Sequence, residues 1–166
     1  MKKIGVVSDT HSCWDQRFVK YFSECDEIWH AGDIGDISVA YQFEDMCKFR
    51  AVSGNIDHGE VKRKYPELII FDIEGFKILM THIGGYPGRY SPGIKKLITE
   101  NKIDIFISGH SHILKVMYDN DLNVLHINPG AAGKQGWQQK RTIIRFEIDN
   151  SNSTESIRNM EVIELG

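Results

Sequence analysis

The segment Ile4–His11, "IGVVSDTH", runs a short apolar stretch directly into two side chains able to bind a metal, Asp9 and His11. A run this short, rich in β-branched residues and stopped by Ser8 and Asp9, reads as a β-strand. Runs of the same kind recur at Glu27–His30, Phe49–Val52, Leu68–Ile73, Phe76–Met80, Ile103–Ile107 and Leu122–Ile127. Between the first three lie residues 15–25 and 38–48, whose apolar residues (Phe18, Val19, Phe22; Val39, Ala40, Phe43, Met46, Cys47) fall at helical spacing. Strand and helix alternate there, which predicts a parallel sheet with right-handed crossovers. Farther along, "DIEGFK" and "YDNDLN" read as hairpin turns, and residues 141–165 as two strands joined by a polar loop with a Ser/Asn cluster at 150–154. One helix over Pro92–Asn101 interrupts this antiparallel half. The expected fold class is α/β, with two packed mixed β-sheets flanked by helices in an α/β/β/α sandwich.

With 166 residues, 41% of them hydrophobic and 26% charged, the chain has the size of one domain with a proper core, and one domain over 1–166 is expected to carry one site. The apolar run near the N-terminus is too short for a signal peptide or a membrane span, so a cytoplasmic protein without a membrane partner is expected. Three cysteines, Cys13, Cys25 and Cys47, form no C-x-x-C pair and fit reduced thiols. A net charge of -3, from 20 basic and 23 acidic residues without a block of either sign, argues against general nucleic-acid binding.

The chemistry collects at the C-terminal ends of the predicted strands. The first is followed by Asp9 and His11, the second by Asp33 ("HAGD"), the third by Asn55 ("SGN"), later ones by His82 ("MTH") and by His110 and His112 ("GHSH"). Strand ends of an open α/β sheet border the crevice where ligands sit, so these distant residues converge if the sheet forms as expected. Singly, each motif has an ordinary structural reading. "DTH" can cap a helix, Gly-Asp and Gly-Asn are turn chemistry, and His82 alone suits a hydrogen-bonded core position. "GHSH", read as an extended segment, offers two imidazoles on one side. The joint pattern outweighs the parts. Three carboxylate or amide oxygens and four imidazoles exceed the needs of one ion and suit two ions sharing a carboxylate, for which Asp33 is the natural bridge. Mixed oxygen and imidazole ligation favours Mn²⁺, with Fe²⁺, Ni²⁺, Co²⁺ or Zn²⁺ as alternatives, over Mg²⁺ or Ca²⁺. The lack of cysteine among the candidates argues against a structural zinc.

Asp-x-His, Gly-Asp, Gly-Asn-x-Asp, His and Gly-His-x-His, in this order, resemble the five signature blocks of the calcineurin-like metallophosphoesterases, and the compact length is similar to their small bacterial and archaeal phosphodiesterase branch. The resemblance implies a two-sheet sandwich with a dinuclear centre at the strand ends. It places Asp9, His11, Asp33 and His112 around one ion and Asp33, Asn55, His82 and His110 around the other, with a water or hydroxide between them attacking phosphorus. Many relatives have His after Gly-Asn to protonate the leaving oxygen. Here "GNID" has Ile56, which leaves Asp57 as support and His58 as a substitute proton donor, the two candidate catalytic residues.

Two loops are expected at the rim. "NPGAAGKQGWQQKR" carries Lys134, Lys140, Arg141 and Trp137, and "GGYPGRY" carries Arg89; Lys134 and Arg89 are the candidate phosphate contacts. The expected partner is a small phosphate ester, a diester since the donor His is missing. Phosphomonoesterase or pyrophosphatase action on a metabolite or nucleotide is the alternative. Scaffold proteins of this fold have degraded ligand sets, whereas all seven positions here are intact. Aromatics such as Trp14, Tyr41 and Phe43 are candidates for a homo-oligomer surface.

Overall fold

The computed structural model describes residues 1–150 and 156–166, so most of the Ser/Asn cluster expected to form a hairpin loop, Ser151–Thr154, lies outside the described residues. The chain runs β1 (Lys2–Val7), α1 (Arg17–Phe22), β2 (Glu27–His30), α2 (Ile37–Met46), β3 (Lys48–Ala51), α3 (Gly59–Lys64), β4 (Leu68–Ile73), β5 (Phe76–Thr81), β6 (Gly85–Tyr86) and β7 (Arg89–Tyr90). It continues through α4 (Ile94–Asn101), β8 (Ile105–Ile107), β9 (Lys115–Asp119), β10 (Val124–Asn128), β11 (Thr142–Ile148) and β12 (Ile157–Glu164). Two five-stranded sheets form, in the orders β12-β11-β1-β2-β3 and β4-β5-β8-β10-β9, and β6 pairs with β7 alone. Both large sheets are mixed. β1, β2 and β3 run parallel with β11 antiparallel to β1, and β5, β8 and β10 run parallel with antiparallel β4 and β9 at the edges.

The near-continuous apolar runs have a simple cause: these strands are buried on both faces. Successive side chains point to opposite sides, so Ile4 and Val6 of β1, Ile78 and Met80 of β5, and Ile105 and Ile107 of β8 meet in one cluster between the sheets, with Trp29 and Phe146. Val7 and Ile28 face outward into a second cluster with Phe18, Phe22, Val39 and Phe43 of α1 and α2. Leu79 and Phe106 face outward on the other sheet and receive Ile94 and Ile98 of α4. Helix, sheet, sheet, helix is therefore the layer order. The β4–β5 hairpin pairs Ile73 with Phe76 across Glu74 and Gly75, both at positive φ (48° and 79°), as the mirror-image two-residue turn requires.

Helix α3 and the β6–β7 ribbon were not apparent from the pattern, and β9, which enters the hairpin turn read at "YDNDLN", was not delimited as a strand. α3 is six residues long with only Val61 buried, and edge strand β9 leaves Val116, Met117 and Tyr118 exposed, so neither shows a period. The proposed oligomer aromatics are corrected as well. Phe43 is fully buried, Trp14 packs edge-on against it at 4.9 Å, and only Tyr41 is exposed. No helix among the described residues is long and apolar enough to cross a membrane.

Candidate metal centre

Each candidate ligand sits one to five residues past the end of a strand, on loops stitched together by their backbones. Asp9 N–H donates to Gly32 O (3.0 Å), His11 N–H to Asp33 O (3.0 Å) and Gly109 N–H to His82 O (3.0 Å). The loops turn sharply to aim their side chains inward. Asp9, His11, Asp33, His110 and His112 all have φ between 44° and 70°, the left-handed region. Asp and His tolerate it better than most residues, at a cost of about 1 kcal/mol each. The "GHSH" block is thus not the extended segment expected, and its two imidazoles do not share one side in the way alternation would give. They join different groups of ligand atoms.

Those groups are Asp9, His11 and His112, and Asp33, His82 and His110. In the first, His112 Nε2 lies 3.1 Å and His11 Nε2 3.7 Å from Asp9 Oδ1. In the second, His82 Nε2 lies 3.1 Å from Asp33 Oδ2. Asp33 Oδ2 is also 3.5 Å from His11 Nε2, so this one oxygen reaches both groups. Its partner Oδ1 accepts the Ile56 N–H (3.0 Å). Asn55 Oδ1 meets His110 Nδ1 at 3.0 Å, on the second group. All seven predicted ligand positions converge.

The unpartnered polar atoms of this cluster suit a cation. Asp9 Oδ1, His11 Nε2 and His82 Nε2 are buried with no hydrogen-bond partner among the described residues. Asp9 spends its other oxygen on the Ser8 hydroxyl (2.6 Å) and the His110 N–H (3.1 Å). His82 donates Nδ1–H to Ala31 O (2.8 Å) and His112 donates Nδ1–H to Gln138 Oε1 (2.9 Å), which leaves each Nε2 as a lone pair aimed at carboxylate oxygen. Lone pairs facing one another in a buried pocket repel, and orphaned polar atoms there are costly. Donors about 2.1 Å from a common ion stand roughly 3 Å apart, close to the spacings seen here. Without an ion a proton does part of the work. Burial pushes the Asp9 carboxyl up, but the facing His11, His112 and His82 imidazoles and the Ser8 hydroxyl outweigh it and hold it well below the usual carboxylate range. Asp9 correspondingly raises His112, and at His82 the Asp33 and Asp9 carboxylates overcome the lowering effect of burial.

Three further residues hold the site in place. Asp57 was expected to act in catalysis or to bind a ligand side chain; instead its carboxylate accepts three backbone N–H groups, from Gly54 (2.7 Å), Gly35 (2.9 Å) and Ile34 (3.2 Å). It ties the Asp33 loop to the Asn55 loop and is a positioning residue. The approach of those loops is close enough that a Cβ on Gly54 would overlap Asp33 Oδ1, and one on Gly109 would overlap the Ser8 hydroxyl. Gln138, not foreseen, orients His112 while its amide donates to Gly133 O (3.1 Å) and Gln135 O (2.6 Å). Gln138→Ala is expected to weaken metal binding by about tenfold or more, with Gln138→Glu retaining it, as read by chelator competition.

His30, also not foreseen, lies under the site. Its Nδ1 accepts from Gly32 N–H (3.1 Å) and its Nε2 faces Thr10 Oγ1 (3.0 Å). Complete burial, the largest effect, pushes its pKa down to about 3. The unfolded chain then binds a proton that the folded chain refuses, so this stabilisation is full above pH 6.5 and is lost as pH falls toward 3. In chelator, the parent is expected to lose about 1.4 kcal/mol more per pH unit than His30→Gln between about pH 6 and 4 in urea unfolding.

At the rim, several expectations are corrected. His58 is exposed at the start of α3, with Nδ1 turned to Ile56 O (3.2 Å), and belongs to neither ligand group. Arg89 lines a separate hollow with Lys95, Asp119 and Asp121. Arg141 is buried, donating to Ala132 O (2.8 Å) and pairing with Asp15 (3.0 Å), and Lys140 pairs with Glu164 (3.0 Å). Lys134 is exposed on the loop that carries Gln138, which leaves it free to meet an anion. A hollow of about 230 Å³ lined by Asn55, His82, Glu67 and Ile83 and another of about 280 Å³ beside His110 open next to the ligand cluster.

The calcineurin-like phosphoesterase superfamily domain matches residues 1–151. A probable metallophosphoesterase of Methanocaldococcus jannaschii is 34% identical over 135 residues, covering 77% of this chain and 67% of that protein. Among solved structures, an archaeal phosphodiesterase superimposes with a TM-score of 0.72 at 24% identity, covering 98% of this chain and 99% of its own. The Vps29 of Entamoeba histolytica, complexed with zinc, gives 0.72 at 17% identity, covering 99% of each chain. These two likenesses are of fold.

Proposed function

Because the chain belongs to the calcineurin-like phosphoesterase superfamily, whose members bind divalent metals, and is by that membership a metal-dependent phosphoesterase, we propose that it hydrolyses phosphodiesters at a dinuclear centre. The observation that carries the reading is the pair of ligand groups joined at Asp33 Oδ2, with the orphaned Asp9 Oδ1, His11 Nε2 and His82 Nε2 turned into the space between them. Asp9, His11 and His112 would hold one ion and His82, His110 and Asn55 the other, with Asp33 within reach of both. Mn²⁺ is the first choice for this mixed donor set. Divalent ions bound there would supply a water nucleophile near neutral pH and charge stabilisation for the phosphoryl oxygens.

The chain's own residues divide the remaining work. Gln138 and the Ala31 carbonyl fix the imidazoles of His112 and His82 in the tautomer that presents Nε2. Asp57 sets the distance between the two ligand loops. Lys134 is the remaining basic candidate for substrate phosphate. No histidine follows Asn55, and His58 is turned to Ile56 O, so the leaving oxygen takes its proton from water. That favours esters with good leaving groups.

The test is metal content per chain, with turnover of bis-p-nitrophenyl phosphate and p-nitrophenyl phosphate after chelation and after adding Mn²⁺. Two ions per chain and restored diesterase activity above monoesterase activity support the reading. A higher rate on the monoester turns it toward a phosphomonoesterase. Metal uptake with no turnover of either ester assigns the chain to the scaffold class, and no uptake removes the centre altogether.

A further inference from the structure

The cavity of about 280 Å³ beside His110 is lined by Ile83, Tyr86, Ile113, Lys115, His126 and Asn128, and its size is close to the lower end of ligand sites, roughly 300 Å³ upward. Its walls are anchored. The β6–β7 ribbon that carries Tyr86 is held by the Ser108 hydroxyl, which donates to Gly85 O (3.1 Å), and by the Tyr90 hydroxyl, which donates to Asp119 Oδ2 (2.6 Å). Lys115 Nζ rests 3.9 Å from the centroid of the Tyr86 ring, a cation–π contact. Ile83, Tyr86 and Ile113 present apolar surface at 48%, 36% and 62% exposure, although each lies next to a polar site.

The cavity also has a polar address. His126 is 1% exposed, and burial pushes its pKa down to about 4, so it is neutral at physiological pH. It donates Nδ1–H to Phe106 O (3.2 Å), which fixes Nε2 as an acceptor. Asn128 is already spent, donating to Gly109 O and Ser111 Oγ (3.1 Å each) and accepting from Gly130 N–H (3.0 Å). An acceptor among one aromatic and two aliphatic walls fits a flat, uncharged ring that carries an N–H donor. A wholly apolar group would leave the imidazole nitrogen unpaired, and the Lys115 ammonium disfavours a cationic ring.

We propose that this cavity receives the nucleoside of a nucleotide diester, with the base against Tyr86 and its N–H directed to His126, and the phosphate reaching the ligand groups past His110. The assignment deepens the phosphodiesterase reading and rests on it for the phosphate; the pocket itself can be probed without turnover. In the full chain loaded with diamagnetic Zn²⁺, thymidine is titrated and the backbone amide resonances of Ile83, Tyr86, Ile113 and Lys115 are followed by NMR. Saturable shifts at these residues are expected. They should be weakened at least about fivefold by Tyr86→Ala, the lower end of one base–aromatic stacking contact, and weaker with N3-methylthymidine, which lacks the base N–H. The wall variant Ile113→Trp, at a largely exposed position, should also weaken binding by filling the cavity. Equal binding of the methylated base overturns the nucleobase assignment. Hydrolysis of bis-p-nitrophenyl phosphate by a chain whose pocket resonances ignore thymidine overturns the pocket. Thymidine shifts at these residues in a chain that leaves diesters intact keep the pocket and remove the phosphodiesterase reading.

Discussion

Asp33→Asn is expected to lower kcat/KM on bis-p-nitrophenyl phosphate by about a thousandfold or more, equivalent to about 4 kcal/mol of transition-state stabilisation. The argument lies in the two oxygens. Oδ1 holds the Ile56 N–H, and the asparagine carbonyl can keep that bond, so the loop stays in place. The amide nitrogen must then occupy the Oδ2 position, 3.1 Å from His82 Nε2 and 3.5 Å from His11 Nε2. A donor there answers both imidazole lone pairs and at once removes the carboxylate oxygen that the proposed centre would share. The variant should therefore bind at most one ion tightly while its melting temperature in chelator equals or exceeds the parent's. Elemental analysis and thermal unfolding read the two effects separately. Two tightly bound ions with parental turnover would remove Asp33 as the bridge.

Asp57→Ala should act through stability. The carboxylate is 5% exposed and accepts three N–H groups of Ile34, Gly35 and Gly54, which alanine would leave without a partner. Leaving buried donors unmade costs about 1 to 3 kcal/mol each, and partial relaxation brings the sum to about 3 kcal/mol. For a chain of this size that is a fall in melting temperature of roughly 10 °C. Asp57→Asn keeps one acceptor and should lose less. A variant with parental stability but no turnover would show that Asp57 takes part in proton transfer after all.

The sequence revealed the positions of the site and not its geometry. Asp9, His11, Asp33, His82, His110 and His112 were legible because each follows a short run whose strand is buried on both faces, and Asn55 because it follows the more mixed run of β3, where Arg50 interrupts the apolar residues. The division of the block "GHSH" between two groups of ligands depends on φ values of 70° and 62°, which no residue pattern announces. Gln138 sits in a glycine-rich loop with other polar residues, and only the fold brings it to His112. Asp57 was visible as an acid, but its role depends on where backbone amides from the Asp33 and Asn55 loops end up. Arg141 and Lys140 sit on the basic loop expected at the rim, but a charge in sequence does not reveal its partner; Asp15 and Glu164 claim them.

The left-handed backbones of Asp9, His11, Asp33, His110 and His112 reach beyond catalysis. Five strained residues, added to carboxylate and imidazole lone pairs aimed at one another, make the metal-free site a standing burden on the fold, and any ion that binds only the folded chain lifts the stability with the logarithm of its supply. On the proposed reading, the metal status of the cell then governs how long this protein survives proteolysis as well as how fast it works. Scarcity of the right ion would thin the population of the enzyme with no change in its synthesis.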